Sequence, residues 1–222
     1  MIAHDDPLNQ FADLYLKCKR EGKNVKVWAK REMGLPNKEI DGFIKHFKCH
    51  FKVIAEGYPP LRYKLNKSFE KAISSTSALE PFAGCKKQYH NSITNDVEER
   101  FGADHCLPAH DFLTKMYEEH GEDSFDLVDI DPFSYSVPYF ELGCKLARKG
   151  IIVHVGDIWY LSLNKNKLHN RYEYAPKSAK GADLKAIAYH FYQAAKRYGK
   201  NIVKYDEYKK GIVAKLYFEV NN

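Results

Sequence analysis

The sequence predicts an α/β protein, a parallel sheet with crossover helices behind a small helical module, and three observations carry that reading. Beyond Ser77, short apolar runs each end in an acidic residue followed by a turn or helix signal, which is how strands of a parallel sheet give way to their connections. Ahead of it, three stretches repeat their apolar residues at helical spacing instead. The polar cluster Ser74-Ser75-Thr76-Ser77 separates the two patterns. With 222 residues the chain exceeds the usual domain of ~100–150 residues, so one small module beside one medium domain is expected. The boundaries predicted are 1–66 for the module, 67–77 for the linker and 78–222 for the larger domain.

Composition narrows the classes. Hydrophobic residues at 44% and aromatics at 14% supply a real core and exclude wholesale disorder. No run reaches the ~18–20 apolar residues needed to cross a bilayer, and Met1 to Pro7 is acidic and polar where a signal peptide is basic and then greasy. The expectation is an unexported, cytoplasmic chain without a membrane partner. A net charge of +6 favours a polyanionic partner through counterion release. The five cysteines are scattered and contain no C-x-x-C pair, so neither a disulfide framework nor a metal site is expected.

In the first module Phe11, Leu14, Tyr15 and Cys18 form one amphipathic stripe. Asn24 is placed to cap a second helix carrying Val25, Trp28, Ala29 and Met33. Gly34-Leu35-Pro36 breaks it, and Asn37 is expected to cap a third helix with Ile40, Phe43, Ile44 and Phe47 inward. Phe51 and Val53, then Leu61, Tyr63 and Leu65, alternate with basic residues about a Pro/Gly-rich turn, which predicts a hairpin. Helix, helix, tight turn, helix and basic hairpin resembles the winged helix-turn-helix family. That resemblance implies nucleic-acid binding, with Lys38, Lys45 and His46 entering a groove and Lys52, Arg62 and Lys64 reaching phosphates. The competing reading is a trihelical unit that packs on a protein partner, its lysines simply solvated.

In the larger domain four strands are expected to end in four carboxylates: Ala78-Leu79-Glu80, Ser92 to Asn95 before Asp96, a stretch around Cys106 and Leu107 before Asp111, and Phe125 to Ile130 before Asp131. In a doubly wound sheet the ligand crevice lies beyond the carboxyl ends of the strands, so these acids would converge on one site. Each acid alone also suits a helix N-cap or a solvated turn.

The segment Leu79-Glu80-Pro81-Phe82-Ala83-Gly84 resembles the first cofactor motif of the class I S-adenosylmethionine-dependent methyltransferases, whose fold is a Rossmann-like sheet. That resemblance implies S-adenosylmethionine as cofactor. Glu80, Phe82, Ala83 and Gly84 would cradle its methionine part, Asp96 its ribose with Val97 against the adenine, and Asp111 the adenine amine with Phe112 beside it. Gly84 is followed by Cys85-Lys86-Lys87 where the family has a second glycine, and the short interval to Asp96 leaves room only for a shrunken helix.

The stretch Asp129-Ile130-Asp131-Pro132-Phe133-Ser134 resembles the (D/N)PP(Y/F) motif of amino-methyltransferases, and more closely the DPFG of the tRNA guanine-N2 dimethyltransferase family. The likeness continues through Val137-Pro138-Tyr139-Phe140 and Gly150 to Asp157, with Ser134 in place of the glycine and no room for that family's large carboxyl-terminal domain. It implies a catalytic trio: the Asp131 carboxylate and the Pro132 carbonyl accept hydrogen bonds from an exocyclic base amine, and Phe133 stacks on the base. Taken alone, Asp-Pro-Phe is also an ordinary strand-to-turn exit.

His154 lies inside the apolar run Ile151 to Val155 and reads as a core histidine before a catalyst. Trp159 to Lys180 mixes cations and rings, which fits a loop holding nucleic acid and equally a solvated connection. Gly181 introduces a helix, and Ile202-Val203 and Ile212 to Val220 are expected as two closing antiparallel strands. Together these readings predict methyl transfer to an exocyclic nucleobase amine, with DNA ahead of RNA because of the first module. The alternatives are an RNA guanine-N2 enzyme, a DNA-binding regulator with a silent methyltransferase fold, and methylation of a protein or small molecule. The oligomeric state stays open.

Overall fold

The structure, a computed structural model, describes residues 10–11, 14–15, 17–18, 21–45, 60–84, 87–97, 99–132, 135–164, 167–210 and 213–221. The chain divides into two compact units, Met1–Glu56 and Gly57–Asn222.

In the first unit Asn24 caps α1 (Val25–Met33), accepting from Lys26 N at 3.0 Å, and Gly34 ends the helix with φ 62°. Helix α2 covers residues 37–45. Its first turn closes on the Pro36 carbonyl, which accepts from Ile40 N at 3.1 Å, so Asn37 is inside the helix and the expected cap moves back one position. Phe11, Tyr15, Cys18, Val25, Ala29, Ile40 and Phe43 are buried, and the Phe11 and Phe43 rings meet at 4.9 Å. These are buried positions of the three predicted stripes; Leu14, Trp28, Met33 and Ile44 of the same stripes are half-buried, and Phe47 lies outside the described residues.

A helix takes the place of half of the expected hairpin. Leu61, Tyr63 and Leu65 lie in α3 (Pro60–Ala72), so the second wing strand is absent; Phe51, Lys52 and Val53 lie outside the described residues. The physical reason is the longer period: Leu65, Phe69 and Ile73 recur every four residues and cover an apolar sheet face, which outweighs a five-residue alternation. This helix belongs to the second unit.

That unit is built on strands β1 (Ala78–Glu80), β2 (Ser92–Thr94), β3 (Phe125–Ile130), β4 (Ala147–His154), β5 (Asn201–Lys210) and β6 (Val213–Asn221). They form one sheet in the order β2-β1-β3-β4-β6-β5. The first four are parallel, and β6 runs antiparallel to both β4 and β5 as the closing hairpin. The strand predicted around Cys106 and Leu107 is a single parallel bridge, Asn95 to His105. Pro108 comes immediately afterwards and α4 (Ala109–His120) begins, which leaves no length for a strand.

One face of the sheet carries α4, α5 (Val137–Leu146) and α8 (Leu184–Arg197), packed on Val128, Ile130, Ile151, Val153, Leu216 and Phe218. Gly143 lets α5 sit tight on β3, since a Cβ there would lie 2.5 Å from Ile130 Cδ1. The other face carries Leu127, Ile152 and Tyr217 under α3. Side-chain alternation therefore sends Asp129, His154 and Lys215 to the α3 face as well. Short helices α6 (Ile158–Leu163) and α7 (Leu168–Arg171) come after β4.

Candidate active site

The strand order reverses at β1, with β2 on one side and β3 on the other, and such a switch point opens a crevice beyond the carboxyl ends of those strands. Glu80 ends β1, buried, and is used inside the protein. Its carboxylate accepts from Gln88 N at 3.1 Å, from Tyr89 N at 3.3 Å and from the Ser92 hydroxyl. It thus ties down the tight connection to β2. Burial pushes its carboxyl up to about 7, with nearby Asp129 adding to the rise and the Ser92 and backbone hydrogen bonds opposing it.

The turn after Glu80 meets the end of β2. Ala83 N donates to Asn95 O at 2.9 Å, and Gly84 N donates to Asp96 Oδ2 at 3.0 Å. Gly84 has φ +62°, and among the described residues beyond its chain neighbours no heavy atom stands within 4 Å of where a Cβ would be, so the turn borders open space there. Fully buried Asn95 links the loops: its Nδ2 donates to Pro81 O at 3.2 Å and Leu107 O at 3.0 Å, and its Oδ1 accepts from Leu107 N at 3.0 Å. Val97 is exposed. Asp111 stands exposed in the first turn of α4, and Phe112, one residue on, is completely buried in the core with its ring 5.2 Å from His105. The structure thus joins Glu80, Ala83, Gly84 and Asp96 in one loop cluster and leaves Phe112 facing inward.

Asp131 comes directly after β3. Its Oδ1 pairs with His154 Nδ1 and its Oδ2 lies 3.2 Å from Lys215 Nζ. The side chain of Asp131 is 5% exposed against 1% for His154 and 0% for Lys215, so it is the outermost of the three. Lys215 also lies 3.2 Å from Asp129 Oδ1. Asp129 Oδ2 accepts from Tyr89 OH at 2.7 Å and Asn66 Nδ2 at 3.3 Å, and Asn66 Oδ1 accepts from Tyr217 OH at 3.0 Å. A buried polar layer therefore runs from α3 to Asp131. Pro132 is buried beside it, and Phe133 lies outside the described residues. Phe82 meets Tyr139 of α5 edge-on at 4.9 Å, which brings the β1 turn and the segment after Asp131 together.

Beyond β4, the described residues of 159–180 are not simply a solvated connection. Arg171 and Tyr172 are buried, with Tyr172 OH donating to Asp157 Oδ1 at 2.8 Å, and the Arg171 guanidinium lies 4.4 Å from the Tyr160 ring and 5.1 Å from that of Tyr135. Of the residues read as nucleic-acid contacts, Lys38 and Lys45 are exposed on α2 and Lys64 on α3; Arg62 lies in α3, and His46 and Lys52 are outside the described residues. Among the described residues no cluster of His, Cys, Asp and Glu could hold a metal ion, and no helix is long and apolar enough to cross a membrane.

Sequence reading missed Lys215 and Asn95. Lys215 carries a weak signal, a lysine flanked by Ala214 and Leu216 in an apolar strand; Asn95 carries none beyond its place before Asp96.

No protein-family model and no curated protein matches the chain. Among solved structures it is similar to Trm1 from Pyrococcus horikoshii in complex with S-adenosyl-L-methionine, with TM-score 0.61 and 12% identity over 73% of this chain and 54% of that one. The match thus spans little more than half of that protein. An O-methyltransferase from Bacillus cereus in complex with SAH aligns at TM-score 0.46 and 13% identity, over 88% of this chain and 96% of that one. The likeness to Trm1 shows the fold, a Rossmann-like sheet.

Proposed function

We propose that this chain is an S-adenosylmethionine-dependent methyltransferase acting on an exocyclic amine of a nucleobase. The observation that carries the reading is Asp131, a carboxylate anchored on both oxygens just past β3, beside the switch-point crevice. The residues beyond β1 fit the cofactor. The Gly84 turn borders open space, and Asp96 stands against it with the carboxylate that ribose hydroxyls require. Bound there, the cofactor supplies an electrophilic methyl on a sulfonium.

An exocyclic amine is a poor nucleophile because its lone pair delocalises into the ring. Asp131 and the Pro132 carbonyl would accept its hydrogens and turn that lone pair toward the methyl. With the methyl transferred and the carbon–sulfur electron pair left on sulfur, the amine nitrogen would give its extra proton to water. Asp111 at the start of α4 and exposed Val97 are kept as adenine contacts, with Phe112 supporting from the core side.

The preference for DNA rested on the first module, whose expected second wing strand is replaced by α3. RNA therefore moves ahead: the Asp131 motif is similar to that of a tRNA-modifying family, and the fold is that of Trm1. Lys38 and Lys45 on α2 remain as phosphate contacts for either nucleic acid.

Labelled methyl transfer offered in parallel to tRNA, single-stranded DNA, duplex DNA and free nucleosides tests this. Label is expected on RNA, and Asp131→Asn should lower kcat by about a hundredfold or more while cofactor affinity stays within about twofold. A purified chain that does not bind the cofactor, or an Asp131→Asn variant that transfers normally, would overturn the reading.

A further inference from the structure

A lysine with no exposed surface needs a reason. Removing an ammonium from water costs several kcal/mol unless its partners repay it, and Lys215 is repaid by two carboxylates, Asp129 and Asp131, each with an oxygen 3.2 Å from its Nζ. If folding were the whole purpose, an apolar residue would serve: Leu127 and Ile152 on the same face of the sheet are apolar and buried. The placement also arises from topology. Lys215 is the cross-strand partner of His154, so the two reach the same end of β3 from adjacent strands and take different oxygens of Asp131.

We propose that Lys215 is a positioning residue for methyl transfer: it holds Asp131 ionised and, with His154 on the other oxygen, fixes the carboxylate as an acceptor aimed at the incoming amine. This rests on the function proposed above. A protonated Asp131 would present a donor to an amine that must be gripped by acceptors, so keeping the charge is a functional requirement. Asp129 is the competing claimant. It anchors the lysine from the α3 side through Tyr89 and Asn66, and so fixes where Nζ stands. The other titratable or charged groups facing this layer are Glu80 from β1, Tyr89 with Lys67 over its ring, His154 from β4 and Tyr217 from β6. Protonating His154 adds a second cation at Asp131, so His154 cannot cause a loss of ionised Asp131 on acidification.

The test uses the full chain and the variants Lys215→Met and Asp129→Asn. Removing the ammonium raises the Asp131 titration midpoint. The acid limb of the kcat profile should therefore move up by about one pH unit or more, so that Lys215→Met is about tenfold slower at the foot of that limb and regains much of its rate at alkaline pH, with cofactor affinity within about twofold. Asp129→Asn gives Lys215 to Asp131 alone and should move the limb down; it decides the matter if Lys215→Met fails to fold. A second readout needs no turnover: carbon-13 NMR of labelled aspartates, with Asp131 assigned through Asp131→Asn, should show the same two shifts. A wild-type chain that transfers methyl groups, beside variants whose profiles and Asp131 titration do not move, would overturn the role of Lys215. A wild-type chain that methylates no acceptor overturns the function reading, and the role with it.

Discussion

Glu80 and Asp131 are both carboxylates at the ends of strands of one sheet, yet their surroundings differ. Asp131 meets an imidazole and an ammonium, whereas Glu80 meets neutral donors in a closed space. Glu80 should therefore make the fold less stable as pH rises. Its folded value of about 7 exceeds the ~4.3 of an unfolded glutamate, so between those values the unfolded chain has released a proton that the folded chain still holds. The loss begins above about pH 4, is complete near pH 7 and amounts to about 4 kcal/mol. Urea unfolding at stepped pH should show wild-type stability falling across that window relative to Glu80→Gln, which cannot titrate; parallel profiles would show that the site ionises freely. At this scale the sequence was only half legible. Asp131 was readable because its neighbours form a motif in consecutive positions. Lys215 and Asn95 act through partners brought near by the fold, and no local pattern of charge or period encodes a contact between Asp131 and a residue on the last strand.

Elements were more legible than the contacts between them. Strands β1, β2 and β3, the closing hairpin and the three helix stripes of the first unit can be read from period and punctuation, because each buries an apolar set. Helix α3 could not, since Leu61, Tyr63 and Leu65 satisfy a strand period over a short window while Leu65, Phe69 and Ile73 satisfy the helical one over a longer window. What settles the competition is the sheet face that α3 covers, a tertiary fact. Its closeness is testable at Gly150 of β4, where a Cβ would stand 2.7 Å from Ile73 Cδ1 and 2.9 Å from Phe69 Cε1. Gly150→Ala should cost about 1–3 kcal/mol by overpacking, measured by urea denaturation, and Gly150→Ala/Ile73→Ala should recover part of it. An unaltered midpoint for the single variant would mean that α3 is held loosely. The missing strand near Cys106 teaches the converse: an acid after an apolar pair looks like a strand end, but Pro108 starts α4 before any ladder can form.

At the scale of the molecule, the sequence shows two patterns either side of a polar cluster, whereas the structure's two units divide between Glu56 and Gly57, so that α3 lies in the second unit and ahead of that cluster. The sheet also has two ends. One is β2, three residues long; the other is β5, ten residues long, where nearly every described side chain is exposed and Lys204, Asp206, Glu207 and Lys209 interrupt Val203 and Tyr205. An outermost strand offers unpaired amides and carbonyls to any passing chain, and brevity on one side and mixed charge on the other are the ways to refuse that offer. Replacing Lys204, Asp206, Glu207 and Lys209 together by threonine should leave the fold's circular dichroism in place while light scattering rises with concentration; a variant that stays monodisperse would show that the charges are not the guard. The exposed edge of the sheet can thus meet solvent without becoming a template for fibres.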